Sequence, residues 1–511
     1  MSGLADALAG VPPLLASHVR LAGAALALGI AISLPLAILA ARRPAIGRWI
    51  TGFASLVQTI PSLALLALFY PLLLSLSALV GGGLPALGFL PSLLALTLYA
   101  LLPIIRNGVA GLTGIDRAVL QAADAVGMTR TQKLRLVEAP LALPIVIAGI
   151  RTAAVWTIGA ATLSTTVGCP SLGDMIFAGL QTQNWALVLA GCVAAAVLAL
   201  AVDALIGLVE RGLATRRPML WAGALALLLA GLGAATAPLL VRGTGRLVTI
   251  GAKNFSEQYI LARLIGDRLT RAGYTVRYRD GLGSAVVYRA LAGGDVDVYV
   301  DYAGTLWNGV MQRSDVPPRP EMVRAIGEWT RRVDGVTMIG PLGFENAYAF
   351  AMRGQDARAK GIADLDALAR VAPTLRLGSD LEFLSRPEWA AVRRAYGFRF
   401  AAATPYSPTF MYRALASGEA DVISAFSSDG RIAADGLTVL ADPRHAIPSY
   451  DALLLAAPGR AKDTRFLAAL RPLVGRIPVA AMREANYRVD READKQSPDA
   501  AARWLAARVG L

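Results

Sequence analysis

Six apolar runs dominate the first half of the chain. They fall near Leu21–Ala41, Gly52–Leu74, Leu84–Ile105, Ala139–Leu163, Trp185–Val209 and Met219–Val241. Each has about the 20 residues needed to cross a ~30 Å hydrocarbon layer. The third and fourth runs contain prolines, which spanning helices tolerate when neighbours satisfy the freed backbone groups. After residue 246 the pattern changes, and charges recur every few positions. LVTIGAKNFSEQYILARLIGDRLTRAGYTVRYRD reads as strand, turn, amphipathic helix and second strand. Further alternation follows in TLRLGSD, in FMYRALASGEADVISAF and in LTVLAD. The pattern predicts an all-α polytopic membrane domain of about six spans, then an α/β domain with parallel sheet content. The expected boundaries are 1–242 for the membrane part, 243–246 for a Gly-rich tether and 247–511 for the second domain.

One stretch breaks the apolar pattern. Gly114–Pro144 is charged and amphipathic, and it sits between spans. Ala118, Ala122, Ala125 and Val126 follow helical spacing, with Asp116 placed as the N-cap. Gly127 interrupts the run, and a second short helix is expected over Thr131–Val137, ending before Pro140. The two would form a bent knob on the membrane face.

Charge changes the picture by its placement. The net charge is +14, which on composition alone suggests nucleic acid. Yet Arg42, Arg43 and Arg48 lie in the first loop, Arg106, Arg117, Arg130, Lys133 and Arg135 in the third, and Arg211, Arg216 and Arg217 in the fifth. The second loop carries no charge and the fourth only Asp174. Basic residues collect on the cytoplasmic side, so the knob is expected inside and the α/β domain outside, with no nucleic-acid partner. The first apolar run lacks a basic leader and is expected to stay as a signal anchor. Arg151 falls within the fourth span, which places it either on a cavity or partner, or near an interface.

The chain offers little for metal or covalent chemistry. Its two cysteines, Cys169 and Cys192, and two histidines, His18 and His445, are isolated, and no metal site is expected. Asp301 and Ser427 have no convergent base in view, which argues against a periplasmic enzyme. A ligand-sensing receptor would need a cytoplasmic output domain, for which no segment is evident.

The knob carries a resemblance. Gln121, Ala122 and Ala123, then Gly127, then Val137-Glu138-Ala139-Pro140 keep the spacing of the EAA loop of ABC-importer permeases. Gln121 stands where that family has Glu. VQTIPSLALLAL, LTLYALLPIIRNGVAGL and ALPIVIAGIRTAAV resemble the quaternary-amine permeases for glycine betaine, carnitine and choline. The resemblance implies that Gln121, Ala122, Ala123, Gly127 and Pro140 couple to a cytoplasmic ABC ATPase. The chain has no G-x-x-x-x-G-K-[ST] loop, so ATP and Mg would bind that partner and no cofactor is expected here. It also implies a homodimer in a bacterial cytoplasmic (inner) membrane.

The second half resembles the osmoprotectant-binding proteins of the same systems. That family has a two-lobed Venus-flytrap fold, here with lobe one at 247–345 and 450–511 and lobe two at 346–449. PLGFENAYAFAM reads as a strand crossing between the lobes. The pocket is expected from Lys253, Tyr302, Thr305, Asn346, Tyr348, Arg386, Tyr412, Phe426 and Asp429. Tyr302 lies beside Gly304 at a strand end, poorly placed for core packing. Aromatic faces suit a quaternary ammonium, which cannot donate hydrogen bonds, while Lys253 and Arg386 suit a carboxylate. The expected ligand is a small zwitterion or cation such as glycine betaine, carnitine or choline. Ergothioneine, carried by similar fused proteins, is the alternative.

Overall fold

The computed structural model describes residues 7–511 apart from 81–83, 182–183, 241–245, 314, 381–382, 407 and 492–493. The chain divides into two compact units near residue 242. The tether expected at 243–246 lies outside the described residues, except that Arg246 already begins a strand.

The first unit is helical. Among the described residues, five helices are long and apolar enough to cross a membrane: Val11–Arg42, Phe89–Thr113, Arg130–Val167, Trp185–Ala214 and Pro218–Ala237. The second expected span is not one straight helix. It is a pair, Pro44–Thr59 and Ser62–Leu79, bent by 102°. The cause is Pro61, which disfavours helical geometry at the residue before it, and Ile60 is accordingly extended, with φ −74° and ψ 125°. The Ile60 carbonyl accepts the Tyr99 hydroxyl from the Phe89–Thr113 helix.

Small residues let the central helices approach closely, as membrane packing requires. A Cβ on Gly108 would lie 2.7 Å from the Ala37 Cβ, and one on Gly29 would lie 2.9 Å from the Ala100 Cβ. Both glycines thus fix the contact between the Val11–Arg42 and Phe89–Thr113 helices. Arg151 is partnered: Nε lies 2.5 Å and Nη2 2.7 Å from the Asp203 carboxylate. Glu210 stands 3.8 Å from Nη1. The Asp203 and Glu210 partners lie one on each side of Gly207, against which the guanidinium packs: a Cβ there would sit in ordinary contact, 3.5 Å from Nη1.

The second unit is built on two five-stranded sheets. In chain order the strands are β1 (Arg246–Lys253), β2 (Tyr274–Leu282), β3 (Val298–Tyr302), β4 (Thr337–Glu345), β5 (Tyr348–Arg353), β6 (Arg376–Asp380), β7 (Ala402–Tyr406), β8 (Val422–Phe426), β9 (Leu437–Val439) and β10 (Asp451–Ala456). The sheet orders are β2-β1-β3-β10-β4 and β7-β6-β8-β5-β9. β1 runs parallel to β2 and β3, while β10 is antiparallel to β3 and β4. β6 runs parallel to β7 and β8, and β5 is antiparallel to β8 and β9. β10 is buried at every position, as expected of a strand covered on both faces.

The chain passes from the first sheet to the second through Asn346 and Ala347, and returns just before Asp451. PLGFENAYAFAM is therefore two strands with a break. The two crossings touch: the Asn346 amide donates to the Tyr450 carbonyl at 3.0 Å. The Val479–Asp490 helix lies against the first-sheet layer and reaches across to the loop after β8.

Replacing Gly108 with Leu should pry the two central helices apart. We expect a loss of monodisperse protein on size-exclusion chromatography, while Gly52→Leu, which meets nothing within 4 Å, should elute normally.

Candidate functional site

The turn after β1 starts the site. The Ser256–Arg271 helix begins there, and Glu257 occupies its first turn. Glu257 is 2% exposed. A carboxylate so buried needs donors in place of water. It receives the Tyr302 hydroxyl at 2.6 Å, the Asn346 amide at 3.1 Å and the Asn486 amide at 2.9 Å. Burial raises its pKa, and these hydrogen bonds act against that rise.

A cavity of about 70 Å³ opens beside this carboxylate, at the crossing between the sheets. Phe255, Ser256 and Glu257 line it from the first sheet, and Asn346 from the crossing. Phe426, Ser428, Asp429 and Arg431 come from the loop that follows β8, and Asn486 and Asp490 from the Val479–Asp490 helix. Asp429 holds Arg431 at 2.6 Å. Asp490 accepts the Ser256 hydroxyl at 2.5 Å, and burial pushes its pKa up to about 6 although Arg431 pulls the other way. Three carboxylates thus face one guanidinium.

The loop after β8 is pinned tightly. Arg483 Nε donates to the Ser427 carbonyl at 2.7 Å, and the Asn486 amide to the Ser428 carbonyl at 3.0 Å. Gly430 permits this approach, because a Cβ there would lie 2.4 Å from the Arg483 carbonyl oxygen.

The residues expected from sequence divide into groups. Asn346, Phe426 and Asp429 line the cavity. Tyr348 packs behind Phe426, with ring centroids 5.2 Å apart, and also meets Phe383 at 4.7 Å and Tyr450 at 5.8 Å. Arg386 stacks 5.7 Å over Tyr348 and lies 3.5 Å from Glu388. Lys253 forms a buried ion pair with Asp301, so its charge is already matched within the protein. Tyr302 is 4% exposed; its hydroxyl is held by Glu257 and Gln258, and its ring stacks on Phe255. The strand end it occupies is a packed position after all: the neighbouring Gly304 makes room for the Tyr450 ring, 2.4 Å from where a Cβ would sit. Thr305 is buried at the start of the next helical turn. Tyr412 belongs to a separate core cluster with Met411 and Ile423, and the Arg431 guanidinium covers its ring at 4.0 Å.

Glu257, Asn486, Asp490 and Arg431 were not anticipated. Asn486 and Asp490 stand one turn apart near buried Met482 and Val489. Polar residues beside a buried apolar stripe are the available signal.

The knob in the first unit differs from expectation at its second half. Asp116 caps Arg117–Ala125, accepting the Ala118 amide at 2.9 Å. Gly127 turns the chain with φ +77°. Thr129 and Gln132 then form a reciprocal capping box. The helix beginning at Arg130 does not stop before Pro140. It passes through a wider π turn, Leu134–Glu138, directly into Ala139–Ala161. The π turn routes the Ala139 amide to the Leu134 carbonyl, which accommodates a proline that would clash with a regular preceding turn. Gln121 and Ala122 are exposed and Ala123 is buried; Gly127 and Pro140 are exposed. Lys133 bridges to Asp124 at 2.6 Å, and Glu138 pairs with Arg42 at 2.8 Å.

Comparison with known proteins matches both units. Residues 246–507 match the substrate binding domain of ABC-type glycine betaine transport systems, and residues 33–215 match the inner membrane component of binding-protein-dependent transport systems. The ergothioneine transport permease/ergothioneine binding protein of Helicobacter pylori (strain G27) is 28% identical over 473 residues, covering 89% of this chain and 82% of its own length. The glycine betaine/carnitine/choline transport system permease of Bacillus subtilis (strain 168) is 38% identical over 194 residues, covering 38% of this chain and 84% of its own length. A crystal structure of a glycine betaine/carnitine/choline ABC transporter aligns with 26% identity and a TM-score of 0.46, over 51% of this chain and 98% of its own. The chain belongs to the glycine-betaine-type ABC transport family, as a membrane permease fused to its own substrate-binding domain.

Proposed function

We propose that the chain imports a small quaternary-amine zwitterion or cation across a bacterial inner membrane, powered by a separate cytoplasmic ABC ATPase. Residues 1–242 are the permease, 243–245 the tether and 246–511, beginning with β1, the receptor on the outer side. Two copies of the permease enclose the pathway. The knob is the part that meets the ATPase, through Gln121, Ala122, Ala123, Gly127 and Pro140, and ATP and Mg belong to that partner.

One observation supports the ligand class above others. The cavity at the crossing has aromatic walls, Phe255 and Phe426, and an excess of carboxylate: Glu257, Asp429 and Asp490 against Arg431. A trimethylammonium head is attracted by both features and needs no acceptor. Asn346, Tyr348, Phe426 and Asp429 form its surroundings, with Tyr412 seating Arg431 from behind. Arg431, which lines the cavity, and Arg386, over the Tyr348 ring, are the cations offered to a ligand carboxylate, while Lys253, Tyr302 and Thr305 support the floor. Glycine betaine, carnitine and choline share the cationic head.

A specific detail favours the second reading, ergothioneine. The Asn346 and Asn486 amide groups both donate to Glu257, and the two amide oxygens have no partner among the described residues. A ligand with ring N–H groups could serve them, whereas glycine betaine has no donor. The Helicobacter pylori relative named for ergothioneine also spans both units.

Calorimetry of the full chain in lipid nanodiscs, titrated with glycine betaine, carnitine, choline and ergothioneine, should give saturable binding for at least one. Phe426→Ala should weaken it about tenfold, a loss of ~1.4 kcal/mol. Silence with all four ligands would refute the class. Affinity should also fall as pH drops from 7.5 to 5, because Asp490, with a pKa of about 6, loses the negative charge that attracts the cation. Asp490→Asn should flatten that profile. Finally, Gly127→Ala should cost about 1 kcal/mol at its left-handed turn. It should lower ATP-driven uptake in vesicles holding the partner ATPase while ligand affinity stays unchanged.

A further inference from the structure

A groove that shares no residue with the ligand cavity lies at the end of the first long helix. It is lined by Pro35, Ile38, Leu39, Arg42, Arg43 and Arg130 and encloses about 710 Å³. Four of these share one helix face, since 35, 38, 39 and 42 recur at the three-to-four spacing of a helix. That face changes character along its length. Pro35, Ile38 and Leu39 are apolar and partly or fully exposed on a membrane-spanning helix. One turn further on comes Arg42, followed by Arg43, and Arg130 enters from the knob.

The charges do not cancel. Glu138 answers Arg42 at 2.8 Å. Arg43 and Arg130 are both exposed, and no carboxylate lies within ion-pair distance of either among the described residues. The groove therefore has an apolar wall at spanning-helix depth and a surplus of guanidinium at its mouth. Guanidinium groups bind phosphate oxygens with directed, charge-assisted hydrogen bonds. Basic pockets between helices on the cytoplasmic side suit anionic lipid headgroups.

We propose that this groove holds an anionic phospholipid, with an acyl chain along Pro35, Ile38 and Leu39 and the phosphate between Arg43 and Arg130. The occupant is a lipid because a free phosphate would leave the apolar wall uncovered. The site ties the first spanning helix to the knob, adding to the direct Arg42–Glu138 pair.

The test is lipid retention by the full chain in nanodiscs of equimolar phosphatidylcholine and phosphatidylglycerol, read by native mass spectrometry after release into detergent. The wild type should keep phosphatidylglycerol over phosphatidylcholine. Arg43→Gln/Arg130→Gln should reduce that retention about tenfold, and Leu39→Asn should reduce it as well. Arg216→Gln/Arg217→Gln, which removes two exposed arginines from another loop, should leave it unchanged. Equal loss in both arginine pairs would reduce the effect to general surface charge and overturn the site. Displacement of phosphatidylglycerol by inorganic phosphate, with Leu39→Asn silent, would make it a small-anion site and overturn the lipid assignment. Restored retention with Arg43→Lys/Arg130→Lys would separate lost charge from misfolding, and its failure in a monodisperse variant would tell against phosphate recognition.

Discussion

A carboxylate removed from water costs several kcal/mol unless donors replace its hydration. Glu257 is in that position, and much of the receptor half is arranged around it. Its donors come from three places: Tyr302 at the end of β3, Asn346 at the crossing, and Asn486 on the Val479–Asp490 helix. Each donor is held by a further bond or contact. Tyr302 accepts from Gln258 and stacks on Phe255, while Asn486 also reaches the Ser428 carbonyl. One buried charge thereby gathers the first sheet, the crossing and the loop after β8 around a single small cavity.

The membrane half follows a related constraint with a different solution. Its central helices meet through Gly29, Ala37, Ala100 and Gly108, where backbone proximity replaces large side chains. Its partly buried Arg151 is matched by Asp203 and Glu210 on a facing helix. In both halves a charge set among apolar residues is answered by partners from another element, fully buried at Glu257 and only partly buried at Arg151.

Hydropathy made most spanning helices legible, because a membrane helix must be apolar along its whole length. The break at Ile60–Pro61 was hidden within one apolar run, and only the 102° bend reveals it. In the receptor half, alternation between strand and helix patterns gave an α/β domain. Asn346, Phe426 and Asp429 could be picked from local motifs at strand ends. Glu257 and Asn486 could not, because they are separated by 229 positions and are joined only by tertiary structure. Lys253 looked available to a ligand for the same reason: its partner Asp301 lies 48 positions away.

The π turn at Leu134–Glu138 has a mechanical consequence. Because the helix runs from Arg130 to Val167 without a break, the second half of the knob and the spanning segment form one continuous rod. A push on the exposed end cannot be absorbed by a flexible joint beside Pro140. The turn in the knob lies upstream, at Gly127 with its left-handed φ of +77°, so the knob has the shape of a short crank joined to a long shaft. A force on the exposed end would be carried along this rod toward Arg151, which lies on the same helix.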